Sequence, residues 1–199
     1  MLKDYKADKL LKKSRFNNYL LTLNVKTIEK VIQRVDKLIK DNQEYCDDGN
    51  IKHLANIFTA IALYDVLQED LTKEESLDIL RYEMCKKVEE ESQKIKKILK
   101  VPYSLKILGL LLPELFARGS GYGWEYRWHN DTRNNNYLQF ECISCIYQQI
   151  FMKYNMQELG PLFCHADDIN YGSLPGISFT REHTLCKDGR ECDFLFIRK

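Results

Sequence analysis

Apolar residues recur through the first hundred positions at the three- and four-residue steps of amphipathic helices. One such series spans residues 20–39, and a second spans 51–67. Thr72 followed three positions later by Glu75 has the pattern of a capping box, in which each side chain bonds to the backbone amide of the other residue. The sequence therefore predicts two helices over these ranges and a third that begins at the box and runs to about Leu99.

A fourth apolar stretch, residues 105–118, predicts a helix of a different kind. Its apolar residues occur on nearly every face, so we expect this helix to be buried. Pro113 lies inside it and lacks the amide hydrogen that a regular helical turn uses, which predicts a kink or a break. The three glycines of the next segment, 119–123, end the helical pattern.

After this glycine-rich segment the pattern changes to the two-residue alternation of β-strands. The Asp-Gly pair at 188–189 is typical of a tight hairpin turn. The predicted elements are strands 124–129, 137–140, 177–184 and 192–197, a helix over 142–154, and one or two helical turns over 159–171. Helices followed by strands indicate an α+β fold, with a helical N-terminal half packed on a small C-terminal antiparallel sheet. We expect one domain over 1–199, with a helical part at 1–118 and a sheet-containing part at 119–199.

The charge balance narrows the classes of partner. The 30 Lys and Arg residues are matched by 29 Asp and Glu, whereas nucleic-acid-binding domains usually carry a basic surplus. No apolar run approaches the ~20 residues that span a bilayer, and no secretory signal is recognisable at the N-terminus. We therefore expect a cytoplasmic protein with a small-molecule partner and with neither nucleic-acid nor membrane partners. Homo-oligomerisation stays open.

Five of the seven cysteines lie from Cys142 onward. An odd number of cysteines without a secretion signal favours free thiols over disulfides. Cys142-x-x-Cys145 has the spacing of half a zinc ribbon, and on one helix these two thiols would share a face. No second C-x-x-C follows, however, so we predict neither a metal nor another cofactor.

The motifs of the C-terminal part resemble those of one family in their order and spacing. The motifs are Phe140-x-Cys142, Glu158-Leu159, Cys164-His165-Ala166-Asp167, Phe179-Thr180-Arg181-x-x-Thr184-Leu185 and Gly189-x-x-Cys192-Asp193-Phe194. Together they resemble the L-2-amino-thiazoline-4-carboxylic acid hydrolase family, most strongly after residue 137. The resemblance implies hydrolytic opening of a 2-amino-thiazoline ring to a carbamoyl-cysteine, a step of cysteine metabolism. Cys186 is a departure, because the family more usually has a small residue there.

Opening such a ring requires a nucleophile, an acid/base group and a group that orients the substrate carboxylate. Cys164 is the candidate nucleophile, since a thiolate is the strongest one among ordinary side chains. His165 and Arg181 are candidate cations that can lower its pKa, and His165 is also a candidate catalytic group. Asp167 is the candidate partner for a histidine or for the substrate amidinium, and Arg181 is the candidate clamp for the carboxylate.

Four more side chains complete the candidate site. Thr184 follows Arg181 by three positions, so on a regular strand only one of the two faces the pocket. Trp124 is a candidate wall for a planar substrate. Cys142 and Cys192 are expected behind these groups in a supporting role. Core packing is the alternative for all of them, because free cysteine and tryptophan are commonly buried without any ligand.

Two function classes stay open at this point. The first is a hydrolase acting on a carbon–nitrogen or carbon–sulfur bond other than a peptide bond. The second is a non-catalytic small-ligand-binding or accessory module on the same fold. The hydrolase hypothesis makes a geometric demand, because the Cys164 sulfur and the Asp167 carboxylate must then open onto one cavity within about 10 Å of Arg181.

Overall fold

The computed structural model describes residues 5–98, 104–129 and 136–199. Within these ranges the helices that precede the sheet are α1 (Ala7–Lys13), α2 (Asn17–Leu20), α3 (Val25–Asp41), α4 (Ile51–Leu67), α5 (Lys73–Ile98) and α6 (Ser104–Gly119). The N-terminal part is therefore helical, as its periodicity predicts. None of the described helices is both long enough and apolar enough to cross a membrane.

Side-chain caps explain where two of these helices begin. Asn24 precedes α3, and its Oδ1 accepts a hydrogen bond from the backbone amide of Thr27 at 3.0 Å. Before α5, the Thr72 amide donates to Glu75 Oε2 at 2.9 Å and the Glu75 amide donates to Thr72 Oγ1 at 3.2 Å. The predicted capping box is thus confirmed. The predicted end of α5 near Leu99 lies outside the described residues.

In the described residues of the C-terminal part there are four strands and two α-helices. They are β1 (Glu125–Trp128), β2 (Tyr137–Ser144), α7 (Ile146–Lys153), α8 (Gly160–Tyr171), β3 (Ile177–Thr180) and β4 (Cys192–Arg198). All strand pairs are antiparallel in the order β1-β2-β4-β3, which places β2 and β4 at the centre. Phe140 on β2 lies opposite Phe194 on β4, and their rings stack at 4.7 Å. The predicted α+β fold is confirmed.

The structure corrects the start of the helix predicted over 142–154. β2 continues through Ser144, and α7 begins only at Ile146. Cys142 therefore lies on a central strand, where it pairs with Cys192 of β4. The reason is tertiary: pairing with both neighbouring strands extends β2 beyond the point where the local pattern turns helical.

The structure also shortens the strand predicted over 177–184. β3 ends at Thr180, because the Asp193 carboxylate accepts hydrogen bonds from the backbone amides of Glu182 and His183 and turns the chain away from the sheet. The connection from β3 to β4 is therefore the loop 181–191 rather than a tight hairpin. This loop lies beside the beginning of α8.

Helix α6 covers the sheet from one side. Phe116 contacts the rings of Tyr126 and Phe140 at 5.0 and 5.5 Å, which turns that face of the helix inward. The apolar residues that remain about half exposed are Leu110, Leu111 and Leu115. The prediction of a buried helix is therefore wrong, because apolar composition does not determine how many neighbours a helix has. The helix also continues through Pro113 without a break.

Two apolar cores meet inside the molecule. The helical core centres on α4, whose residues 54–64 are all buried. The core of the sheet includes the rings of Phe140, Phe194 and Phe196. Trp124 packs against both cores. The cavity described next lies where the two cores meet.

Candidate active site

Helix α8 carries the predicted chemistry. Pro161 fits the first turn, where a backbone amide needs no partner within the helix. Gly160 lets the helix begin beside the loop 181–191, because a Cβ there would lie 2.7 Å from the Cys186 sulfur. Cys164 and Asp167 are three residues apart on this helix and therefore share a face.

This face of α8 borders a cavity of about 460 Å³. The residues of the sequence prediction that line it are Trp124, Cys142, Cys164, Asp167 and Cys192. The predicted residues that do not line it are His165, Arg181 and Thr184. Cys164 and Asp167 thus open onto one cavity, as the hydrolase hypothesis requires, while the role of each residue stays a prediction.

Arg181 lies behind the cavity wall. Its side chain is only 3% exposed, and Nη1 donates to Asp167 Oδ2 at 2.9 Å. Nη2 donates to Asp168 Oδ1 at 2.7 Å and to the backbone carbonyl of Cys164 at 2.8 Å. The predicted contact with a substrate carboxylate does not fit this geometry, because the guanidinium is committed to α8. Arg181 instead holds Asp167 in place and puts a positive charge beneath Cys164.

The Cys164 thiol has two hydrogen-bonding neighbours. A hydrogen bond from Cys186 is the largest influence and lowers the Cys164 pKa below its usual range. Burial opposes this effect, whereas the charge of Arg181 and a hydrogen bond from the Thr184 hydroxyl add to it. The surroundings of Cys164 thus favour the thiolate, which is the reactive form. Thr184 contributes by supporting this thiol rather than by lining the cavity.

The neighbouring thiols have the opposite character. Hydrogen bonding to Cys164 and burial raise the pKa of Cys186, and hydrogen bonding to Cys145 and burial raise that of Cys142. Burial raises the pKa of Cys192 to about 12. All seven cysteines are free. Within the described part of the chain, no three His, Cys, Asp or Glu side chains are grouped so that they could hold a metal ion.

The pKa of the Asp167 carboxyl group lies close to neutral pH. Burial raises its pKa to about 6, against the opposing charge and hydrogen bond of Arg181. About a third of the side chain, 34%, is exposed, and Asp167 lines the cavity. A carboxyl group with such a pKa can both donate and accept a proton in a reaction at pH 7.

The histidine of the cavity is not the predicted one. His165 points outward from α8, is 55% exposed, and has Nδ1 3.5 Å from Asp168 Oδ2. His53 of α4 lines the cavity instead, with its ring 4.8 Å from that of Trp124 and Nδ1 3.1 Å from the Tyr147 hydroxyl. Burial lowers the His53 pKa to about 4, so its imidazole is neutral at physiological pH.

Among the cavity residues that the sequence did not predict as site residues, His53, Asn170 and Arg15 have side chains suited to bind a ligand. His53 is a lone imidazole in the most apolar helix, a signal that could have drawn attention to it. Asn170 follows Asp167 by three positions, so the face of α8 that predicted Asp167 also indicates Asn170. Arg15 lies in a segment without a recognisable motif, and nothing in the local pattern singles it out.

One protein-family model matches most of the chain. A family model described as L-2-amino-thiazoline-4-carboxylic acid hydrolase matches residues 50–196, which include α8 and the whole sheet as far as Phe196. The chain belongs to this family. The resemblance inferred from the motifs is therefore confirmed, and the hydrolase family match covers every predicted site residue. No curated protein and no solved structure matches the chain significantly.

Proposed function

We propose that the protein is a hydrolase that opens the ring of L-2-amino-thiazoline-4-carboxylic acid or of a closely related cyclic amidine. The observation that carries this proposal is the setting of Cys164. Its thiol borders the cavity, one helical turn from Asp167 and beside two groups that stabilise a thiolate. Membership of the family supplies the substrate class.

The first half of the reaction forms a covalent intermediate. The Cys164 thiolate attacks the amidinium carbon of the ring and forms a carbon–sulfur bond. The ring bond from this carbon to sulfur or nitrogen then breaks, and the departing atom takes the proton of Asp167. The intermediate is a cation attached to Cys164, and the Asp167 carboxylate balances its positive charge. It is an amidinium where the ring sulfur departs and a protonated dithiocarbonimidate where the ring nitrogen departs.

The second half releases the product. Water attacks the amidinium carbon and gives one proton to Asp167, which restores its acid form. The bond to Cys164 then breaks, the thiolate departs and the hydroxyl group on the carbon becomes a carbonyl. The proton of this hydroxyl group is released to solvent. The protons balance, because the substrate entered the site as a protonated amidinium. The product is a carbamoyl-cysteine, and the enzyme is returned to its starting state.

The test is turnover of synthetic L-2-amino-2-thiazoline-4-carboxylate, with carbamoyl-cysteine followed by liquid chromatography and mass spectrometry. Cys164→Ala should lower turnover by at least about 10³-fold, as the loss of a nucleophile does in other enzymes. Cys85→Ala is the matched control, because Cys85 lies on α5 and does not line the cavity. Acid-quenched wild-type protein should also carry the mass of the intermediate on the peptide that contains Cys164.

Two outcomes would contradict the proposal. Turnover that survives Cys164→Ala would exclude the thiolate as the nucleophile. Binding of the ring compound without any product from the wild-type protein would favour the alternative, a non-catalytic ligand-binding module.

A further inference from the structure

Arg15 is a cation of the cavity wall that precedes the residues matched by the family. It lies between α1 and α2 and lines the same cavity as Cys164 and Asp167. Arg181, by contrast, does not line the cavity, and its side chain is only 3% exposed in its pairs with the carboxylates of α8. A substrate carboxylate that enters the cavity therefore meets Arg15.

Packing holds the Arg15 guanidinium in one place. Nε and Nη2 donate to Glu91 Oε2 at 3.1 and 2.8 Å, and the backbone amide of Arg15 donates to Asn56 Oδ1 at 2.9 Å. Nη1 has Met84 Sδ as its neighbour at 3.9 Å, and a thioether is a weak acceptor. This nitrogen is thus preorganised to donate to a stronger acceptor, such as a carboxylate oxygen.

The charge of Arg15 also reaches the groups around the cavity. Burial is the main influence on Asp167, Tyr147 and Tyr171 and raises the pKa of each. At all three, the positive charge of Arg15 acts in the opposite direction and lowers the pKa. Arg15 therefore contributes a positive potential inside the cavity, where an anionic group is attracted.

On the side of the cavity formed by α8, one hydrogen-bond acceptor has no donor. Asn170 lies one turn beyond Asp167, lines the cavity and is 7% exposed. Its Oδ1 has no hydrogen-bond partner among the described residues. Because a buried carbonyl without a donor is costly, this amide oxygen is available to accept a hydrogen bond from a ligand N–H group. The cavity thus has a donor at Arg15 and acceptors along α8.

We propose that Arg15 binds the carboxylate of the substrate while Asn170 accepts a hydrogen bond from its exocyclic amino group. The identity of the ligand rests on the proposed hydrolase function, and the inference adds the orientation in which the ligand is bound. The amidine carbon then lies beside Cys164, and the carboxylate points toward α4 and α5. The recognised class is a small cyclic amidine that carries a carboxylate.

The test compares two probes in isothermal titration against the Cys164→Ala protein. One probe is L-2-amino-2-thiazoline-4-carboxylate, and the other is 2-amino-2-thiazoline, which lacks the carboxylate. Adding Arg15→Met should weaken binding of the first by about 10- to 100-fold, the usual effect of losing a hydrogen bond to a charged group. Binding of the second should change by less than about 3-fold, since its amino end does not meet Arg15. Adding Asn170→Ala should weaken both probes to a similar extent, because both carry the amino group.

The matched control is Arg34→Met. Arg34 forms an ion pair with Asp65, and its side chain is 23% exposed, the same fraction as that of Arg15 in its pair with Glu91. Arg34 does not line the cavity, so both probes should bind this control as they bind the parent protein. Equal weakening of the two probes by Arg15→Met, no weakening of either, or no binding of the carboxylate probe to the parent would each overturn the inference. Failure of the hydrolase proposal can be distinguished from failure of this inference. In the first case the wild-type protein shows no turnover, while the binding of the two probes can still be measured and compared.

Discussion

Replacing Asn50 by alanine should destabilise the protein and loosen one wall of the cavity. Asn50 is fully buried, and its Nδ2 donates to the carbonyls of Tyr45 and Tyr122 at 3.0 and 2.9 Å. Its Oδ1 accepts from the Gly121 amide at 3.2 Å and from Trp124 Nε1 at 3.0 Å. One side chain thus connects the start of α4 to the glycine-rich loop and to a ring of the cavity.

The expected loss in the free energy of unfolding follows from these four hydrogen bonds. Each contributes about 1 kcal/mol net, and each buried group that loses its partner costs about 1–3 kcal/mol more unless water replaces the amide. We therefore expect Asn50→Ala to lower the free energy of unfolding by about 3–5 kcal/mol. For a chain of this size, that corresponds to a fall in Tm of roughly 6–20 °C. Urea unfolding followed by circular dichroism measures the first value, and a thermal scan measures the second.

Asn24→Ala is the control for this experiment. Asn24 also uses its side-chain oxygen to accept a backbone amide, but it caps an exposed helix start. We expect this variant to lose about 1 kcal/mol. If Asn50→Ala is no more destabilised than Asn24→Ala, the reasoning from buried hydrogen bonds is refuted. Tryptophan fluorescence adds a local readout, since Trp124 loses the partner of its indole nitrogen only in the Asn50 variant.

Two further predictions concern the titrating groups of the site. Because burial raises the pKa of Asp167 from 3.8 to about 6, the folded protein holds this proton more tightly than the unfolded chain does, and stability should fall as pH rises from about 4 to about 7. Relative to Asp167→Asn, the wild-type free energy of unfolding should fall by about 1 kcal/mol over this interval. This value is reduced because the Asp167 side chain is partly exposed. A rise relative to Asp167→Asn would mean that the folded-state pKa is lowered instead. Cys186→Ala removes the main hydrogen bond to Cys164, so iodoacetamide should alkylate Cys164 more slowly at pH 7, as measured by peptide mass spectrometry. An unchanged or faster rate, with Cys85→Ala as the reference, would show that Cys186 does not stabilise the thiolate.

Features that depend on local geometry could be predicted from the amino-acid sequence. The capping box at Thr72 and Glu75 marks the start of α5 because both partners lie within one turn of the chain. Cys164 and Asp167 share the cavity for the same reason, since a spacing of three residues on any helix places them on one face. The α+β class followed from the change of period near residue 123. The family motifs are also local, because each is a short stretch of chain. They lie on β2, just before and within α8, at the end of β3 and the loop after it, and at the start of β4.

Long-range packing selects the groups that face the cavity. Arg181 lies in a family motif and Arg15 does not, yet two carboxylates of α8 hold Arg181 behind the cavity wall, while Glu91 and Asn56 hold Arg15 at the cavity. These partners are distant along the chain, with 76 residues separating Arg15 from Glu91.

Long-range packing also determines which histidine lines the cavity and how much of α6 is buried. His53 enters the site through contacts with Tyr147, 94 residues further along. His165 is next to Cys164 in the sequence, yet it points outward because the helix rotates it away from Cys164. The exposed leucines of α6 have the composition of a core, but only one face of that helix meets the sheet. Periodicity determines which residues share a face, and long-range packing determines what that face contacts.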